Sequence, residues 1–164
     1  NDAEEQLENI DEWQEIYKSV HFCPAEQNGY VNQEKLERWI KKYILILQKN
    51  GQEKLLSKTL GRLFVFSPTG EDGHYPCEPI REMIEKYGDN ELSRAFQQEV
   101  YYSRNLYTPS AGKKELKISE GYVENAQYLD KEYPKTARIF YELSEWYKMD
   151  ASMQRIEAET DFKE

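Results

Sequence analysis

The histidines and cysteines of this chain fall in two proline-containing stretches, His21 with Cys23 and His74 with Cys77. Deprotonated cysteine and neutral histidine are the ligands of structural zinc sites, which usually take them from closely spaced pairs. His-x-Cys is tighter than the usual Cys-x2-Cys, whereas His-x2-Cys is an acceptable spacing. The alternatives are a Cys23–Cys77 disulfide in an oxidising compartment, or cysteines that pack as small apolar side chains beside ordinary loop histidines. We expect the two pairs to remain apart.

Carboxylates also gather in the longest predicted loop, where Glu71, Asp72, His74 and Glu78 lie close in sequence. A hydrolytic site there would need a nucleophile, a base and an oxyanion donor together, and nothing in the chain identifies such a set. The sequence contains neither a glycine-rich phosphate loop nor a G-x-S-x-G motif. We therefore expect a non-catalytic protein, with a metal-dependent module or enzyme centred on His74 and Cys77 as the alternative.

Tyrosine supplies another group of candidate residues, because eight of the 13 tyrosines lie between residues 101 and 147. An apolar ring with a polar tip suits both the rim of a core and a binding surface. Arginine beside tyrosine is common at interaction sites, so we predict a binding surface from polar residues on either side of the long loop. Its members are Glu78, Arg81, Tyr101, Arg104 and Asn105. Alternatively, Arg81 and Glu85 form only a local ion pair, four residues apart on one helix.

The segment from residue 24 to residue 35 has some features of a calcium-binding loop. Gly29 matches the sixth position of that loop, but Pro24 and Lys35 stand at the first and twelfth positions, where carboxylates are required. Lysine cannot be the bidentate ligand, so the pattern excludes calcium. We expect Asn28-Gly29 to form the turn between two helices instead.

Helices must position all of these residues, because helical periodicity dominates the sequence. Asn32 is a predicted N-cap and Asn50-Gly51 a predicted stop for the clearest helix. Its apolar stripe is Leu36, Trp39, Ile40, Tyr43, Ile44 and Leu47. Six more helices are predicted over about residues 3–20, 55–64, 79–87, 90–105, 113–132 and from Pro134 onward. Residues 63–66 are alternatively a short strand. About seven helices predict an all-α bundle or irregular helical array.

Length and composition suit one helical domain over residues 1–164. Apolar residues make up 38% of the chain and aromatic residues 13%, enough to build a core. Both ends are charged and the chain starts at Asn1, so we expect a domain excised from a longer protein. In the last stretch, residues 148–164, the apolar pattern thins, which predicts a projecting helix or tail.

Charge and hydropathy limit the classes of partner. A net charge of −9 argues against nucleic acid, which requires clustered lysine and arginine, and favours a protein partner or the remainder of a parent chain. No apolar run approaches the roughly 20 residues that span a bilayer, and no signal-peptide pattern is present. We therefore expect a cytoplasmic protein that binds no membrane and, zinc apart, no cofactor.

Several short motifs, each present once, lie in the long loop and in the chain that follows it. In sequence order they are Asp72-Gly73, Pro76, residues 78–81, Ile84-Glu85, Glu91-Leu92, Asn105 and residues 133–138. With these motifs, and more loosely with residues 29–39, the chain resembles a helical region of large uncharacterised bacterial proteins. The glycine-rich segment that follows the asparagine in that region is replaced here by residues 109–114. The resemblance implies a terminal interaction or scaffolding domain of a larger bacterial protein, and it implies no activity.

Overall fold

A computed structural model describes residues 21–103 and 110–161 of the chain. The described helices are α1 (Gln33–Lys49), α2 (Leu56–Phe64), α3 (Glu78–Tyr87), α4 (Asn90–Ser103), α5 (Lys113–Leu129) and α6 (Pro134–Asp161). A two-stranded antiparallel hairpin, β1 (Glu26–Gln27) and β2 (Tyr30–Val31), precedes α1, and a 3-10 turn covers Glu53–Leu55. The predicted all-α array is confirmed, with six helices in the described ranges rather than about seven. The helix predicted over residues 3–20 lies outside the described residues.

Side-chain caps set several helix boundaries, and the cap at Asn32 is the predicted one. The Asn32 side chain accepts a hydrogen bond from the backbone N–H of Lys35 at 2.9 Å, which caps α1. Asp89 accepts one from the backbone N–H of Leu92 at 2.8 Å, so Asp89 caps α4. Gly51, directly after the C-cap of α1, has a φ of +62°, the left-handed conformation that glycine adopts without strain.

The predicted helix–turn–helix corner at Asn28-Gly29 is wrong, because these residues connect β1 to β2. Their φ angles are +54° and +82°, the pair of positive values that a tight two-residue hairpin turn requires. The Glu26 carboxylate accepts a hydrogen bond from the Gly29 N–H at 2.6 Å. The alternative strand at residues 63–66 is also wrong, since α2 runs through Phe64.

The last helix extends well past the point where its apolar pattern thins, and α6 reaches Asp161. Its buried face packs against α5, and Ser119 of α5 donates a hydrogen bond to the Ser144 carbonyl at 2.9 Å. Gly112, just before α5, lies directly against the Ala151 backbone. Neither α6 nor any other described helix is long and apolar enough to cross a membrane.

Aromatic rings fill the centre of the fold. Phe140 of α6 contacts Tyr75 of the long loop, Phe96 of α4 and Tyr122 of α5, with ring centroids 5.8–5.9 Å apart. Phe140 is fully buried. One side chain therefore ties the long loop to three helices, and this fixes where the loop lies.

Candidate functional site

The long loop between α2 and α3 folds back over the first turn of α3. The Cys77 N–H donates a hydrogen bond to the Pro68 carbonyl at 3.0 Å, and the Gly70 N–H donates one to the His74 carbonyl at 2.8 Å. The Glu78 carboxylate lies against Gly70, so a side chain larger than hydrogen at that glycine would force the carboxylate to shift. The loop is therefore a closed structure with polar groups turned toward α3.

Arg81 of α3 lies at the centre of this loop. Its Nε donates a hydrogen bond to the Pro76 carbonyl at 2.6 Å, and one Nη donates to the His74 carbonyl at 2.6 Å. The two Nη atoms also donate to the two carboxylate oxygens of Asp72, at 2.6 and 3.0 Å. Only 1% of Arg81 is exposed. A buried guanidinium with this many acceptors holds the loop in one conformation.

Asp72 is the counter-ion of Arg81. The hydrogen bonds from Arg81 hold the pKa of the Asp72 carboxyl well below its usual range, because they favour the ionised form. Asp72 also accepts a hydrogen bond from the backbone N–H of His74 at 2.9 Å. The carboxylate therefore organises the loop while remaining at its outer edge.

The C-terminal end of α3 is joined to the first turn of α6. The Glu85 carboxylate accepts hydrogen bonds from the backbone N–H and the hydroxyl of Thr136, at 2.9 and 3.0 Å. In return, the Lys135 ammonium donates to the carbonyls of Glu85 and Gly88, at 2.8 and 3.1 Å. Glu85 thus caps α6 and Lys135 caps α3, so the predicted Arg81–Glu85 ion pair is wrong.

His74 connects the loop to α5. Its ring stacks on Tyr128 with centroids 3.4 Å apart and planes inclined by 8°. Its Nδ1 lies 3.2 Å from the Asn125 side-chain oxygen, and the Asn125 amide donates to the Tyr75 carbonyl at 2.7 Å. The stack leaves 53% of Tyr128 exposed beside the loop.

A pocket of about 230 Å³ opens between the loop, α3 and the α5–α6 turn. Two tyrosines, three carboxylates and two cations surround it. They are Asp72, Glu78, Arg81, Tyr128, Lys131, Glu132 and Tyr133. The Tyr133 ring lies over the Arg81 guanidinium, 5.4 Å from centroid to Cζ. Because Asp72 and Arg81 neutralise each other, Glu78, Glu132 and Lys131 set the charge that the pocket presents.

The predicted zinc ligands occupy different surroundings. His21 is exposed and lies against Phe66 with ring centroids 5.2 Å apart, whereas His74 faces α5. Over residues 21–103 and 110–161, no group of three or more histidine, cysteine, aspartate or glutamate side chains is arranged to hold a metal ion. The four-ligand geometry that the zinc hypothesis needs is therefore not formed by His21, Cys23, His74 and Cys77.

The two cysteines belong to one buried core cluster. Cys23 and Cys77 are both buried, free thiols. Burial, and then the neighbouring Cys77, raises the pKa of Cys23 to about 12. Burial also raises the pKa of Cys77, whose sulfur lies 3.2 Å from the Ser67 hydroxyl. Thiols with raised pKa values are poor nucleophiles, so both cysteines serve as small apolar packing groups.

The predicted binding surface does not form as one surface. Arg104 and Asn105 lie outside the described residues, and Arg81 is buried rather than presented to a partner. Glu78 lies with Arg81 near the start of α6, whereas Tyr101 contacts Asp150, farther along that helix. At a rise of about 1.5 Å per residue, these two places are about 25 Å apart.

Tyr101 instead joins α4 to α6. Its hydroxyl donates a hydrogen bond to the Asp150 carboxylate at 2.5 Å, and its ring lies against Trp146 and Tyr147. This hydrogen bond, together with burial, raises the pKa of Tyr101 to about 12. The residue is thus a contact between helices, as expected for a tyrosine at the rim of a core.

Sequence reasoning placed Glu78 and Arg81 at the site but missed the residues of the opposite wall. Tyr128 was noted only within the tyrosine-rich half and Tyr133 also within the motif of residues 133–138, whereas Lys131 and Glu132 were not predicted at all. The signal was their position, since two tyrosines flank a charged turn between helices.

The chain matches no protein-family model, and no curated protein or solved structure matches it.

Proposed function

We propose that this chain is a non-catalytic helical protein-interaction domain that docks a basic side chain of a protein partner in the pocket beside Arg81. The observation that carries the proposal is the combination of two tyrosine rings with acidic groups around one opening. Among the described residues, no ion pair neutralises Glu78 or Glu132. A cation is the ligand that such a wall favours.

The size of the pocket favours a side chain over a cofactor. Its volume of about 230 Å³ is below the range of about 300–1,000 Å³ that encloses a typical small-molecule ligand. A guanidinium or ammonium on its aliphatic stem would fill much of this space. The net charge of −9 adds a long-range attraction for a basic partner.

The tyrosines supply specificity as well as charge attraction. One face of Tyr128 is stacked on His74, which fixes the ring, and the residue remains largely exposed. The Arg81 contact with Tyr133 shows that a guanidinium packs against a ring of this wall. A rigid aromatic surface loses little side-chain entropy on binding, so it is an effective anchor for a cation.

A titration with arginine amide, followed by the backbone amide resonances of the protein, tests this proposal. We expect shifts concentrated at residues 78, 128 and 131–133 with millimolar affinity, the scale of a single docked side chain. Citrulline amide is the matched control ligand, because it keeps the length and the α-amino group of arginine amide and replaces the guanidinium with an uncharged urea. It should produce much smaller shifts at the same positions.

Matched variants locate the binding. The double variant Glu78→Gln with Glu132→Gln should abolish the localised shifts, whereas Glu120→Gln, at an exposed position of α5, should leave them unchanged. Equal shifts for arginine and citrulline amides, or shifts spread over the whole acidic surface, would show that the pocket is not a cation site.

A further inference from the structure

The outer face of α1 is basic and apolar, in contrast to the acidic chain as a whole. Leu45 and Ile46 are 65% and 57% exposed. The same side of α1 carries one exposed carboxylate, Glu34, and five exposed cationic residues, Lys35, Arg38, Lys41, Lys42 and Lys49. The core contact of α1 uses the opposite face, with Leu36, Ile40 and Leu47 buried. The outer face is therefore not required for packing against the other described helices.

Phe22, near the start of the described chain, lies beside the middle of α1. The Phe22 ring meets the edge of Trp39 with centroids 6.4 Å apart, and Trp39 stacks on Tyr43 at 5.3 Å. Ile46 follows Trp39 by seven residues, so the two share one side of α1. Phe22 therefore lies beside a strip of α1 that leads from Trp39 to Ile46.

Residues 1–20 have the composition that complements this strip. They contain seven carboxylates and one lysine, whereas α1 presents five cations on its outer side. Their apolar residues recur at helical spacing, and the last five are Ile10, Trp13, Ile16, Tyr17 and Val20. Opposite charge and matching apolar stripes favour contact between the two segments.

We propose that residues 1–20 dock on the outer face of α1 in the same molecule. The tether at Phe22 raises their effective concentration at α1 to the millimolar range. From Trp39 to the end of α1 at Lys49 the strip is about 15 Å long, so about ten residues in helical conformation are enough to cover it. Docking covers Leu45 and Ile46 and neutralises the basic face.

Zero-length carbodiimide cross-linking of the full chain, read by mass spectrometry of the monomer, tests the contact. We expect links from the carboxylates of residues 2–15 to Lys41, Lys42 and Lys49. Lysines 113, 114 and 117 on α5 are equally exposed and serve as internal controls. Equal linkage to the α5 lysines would overturn the proposal. So would links found only between labelled and unlabelled copies in a mixture of isotopes, which would assign the contact to a second molecule.

A pair of matched substitutions tests the apolar part. Ile46→Asp removes the central contact, and Ile156→Asp places the same change at a 61% exposed position of α6. Amide hydrogen exchange of residues 10–20 should become about tenfold faster in I46D, the loss expected from one apolar contact. It should be unchanged in I156D. Thermal unfolding monitors the fold in both. Identical exchange in I46D and the unmodified chain would overturn the proposal.

Discussion

At the scale of single residues, the most informative side chain is Arg81, because a buried cation must find acceptors. Its hydrogen bonds reach Asp72, His74 and Pro76, which are spread over the long loop. The loop therefore takes the shape that brings these acceptors to one guanidinium. Arg81 was predicted to lie on a binding surface, but it is buried and stabilises the loop from inside. The pocket forms beside it.

We expect Arg81→Met to lower the free energy of unfolding by about 3–5 kcal/mol, since the acceptors of the guanidinium lose their donor. Arg81→Lys should lower the free energy of unfolding by a smaller amount, because a lysine cannot reproduce the bidentate contact with Asp72. Arg138→Lys is the control, as the Arg138–Glu142 pair is exposed and should matter by less than about 1 kcal/mol. Urea unfolding measures all three. A loss for Arg81→Met no larger than for the control would refute this role.

Asp72 makes the free energy of unfolding depend on pH in the acidic range. Arg81 lowers the pKa of Asp72 in the folded protein, so at acidic pH the unfolded chain binds more protons than the folded one, and stability rises with pH. The contribution is complete above the unfolded-state value of about 4 and is lost as the pH falls below it. Asp72→Asn should flatten the curve of unfolding free energy between about pH 4 and pH 2. Parallel curves for the two proteins would contradict this.

At the scale of elements, local signals determined the helices and tight turns, whereas close contacts between helices depended on distant residues. Gly61 illustrates the second case. It is buried in α2 where the helix meets α4, and a Cβ there would lie closer than 3.0 Å to the Leu92 carbonyl oxygen. By contrast, Gly121 lies in α5 with nothing within 4 Å of such a Cβ. Both are helical glycines, and only the fold distinguishes them.

The same substitution should therefore have opposite effects at the two glycines. Gly61→Ala should destabilise the protein by about 1–3 kcal/mol through overpacking against α4. Gly121→Ala should stabilise it by up to about 1 kcal/mol, because alanine favours the helix. Thermal and urea unfolding of the two variants provide the measurement. A stabilising Gly61→Ala would mean that α2 and α4 separate more easily than this contact implies.

At the scale of the whole molecule, aromatic packing around Phe140 joins the long loop to α4, α5 and α6. Phe140→Ala should cost about 3–5 kcal/mol. That loss is a large part of the 5–15 kcal/mol by which domains of this kind are stable. Tyr30→Ala, at a position 65% exposed, is the control and should change little. Circular dichroism during urea unfolding measures both. A small loss for Phe140→Ala would show that the loop and helices hold together without it.

The two proposed binding features involve different parts of the molecule. The pocket beside Arg81 lies where α3 meets the α5–α6 turn, and the basic face belongs to α1. One accepts a cation from a partner, and the other accepts the acidic first residues of the same chain. Their experiments are independent, so the failure of one leaves the other standing.

The sequence by itself determined the all-α class, most helix boundaries and the cap at Asn32, because these depend on neighbours within a few residues. The Asn28-Gly29 pair is also typical of a hairpin turn, although the helices predicted on either side favoured a turn between two helices. Tertiary structure alone decided that Arg81 is buried, that His21 and His74 have different surroundings while Cys23 and Cys77 belong to one core, and that Tyr128 faces the loop. Those outcomes depend on which helix faces pack together, and contacts between residues 50 positions apart leave no local pattern.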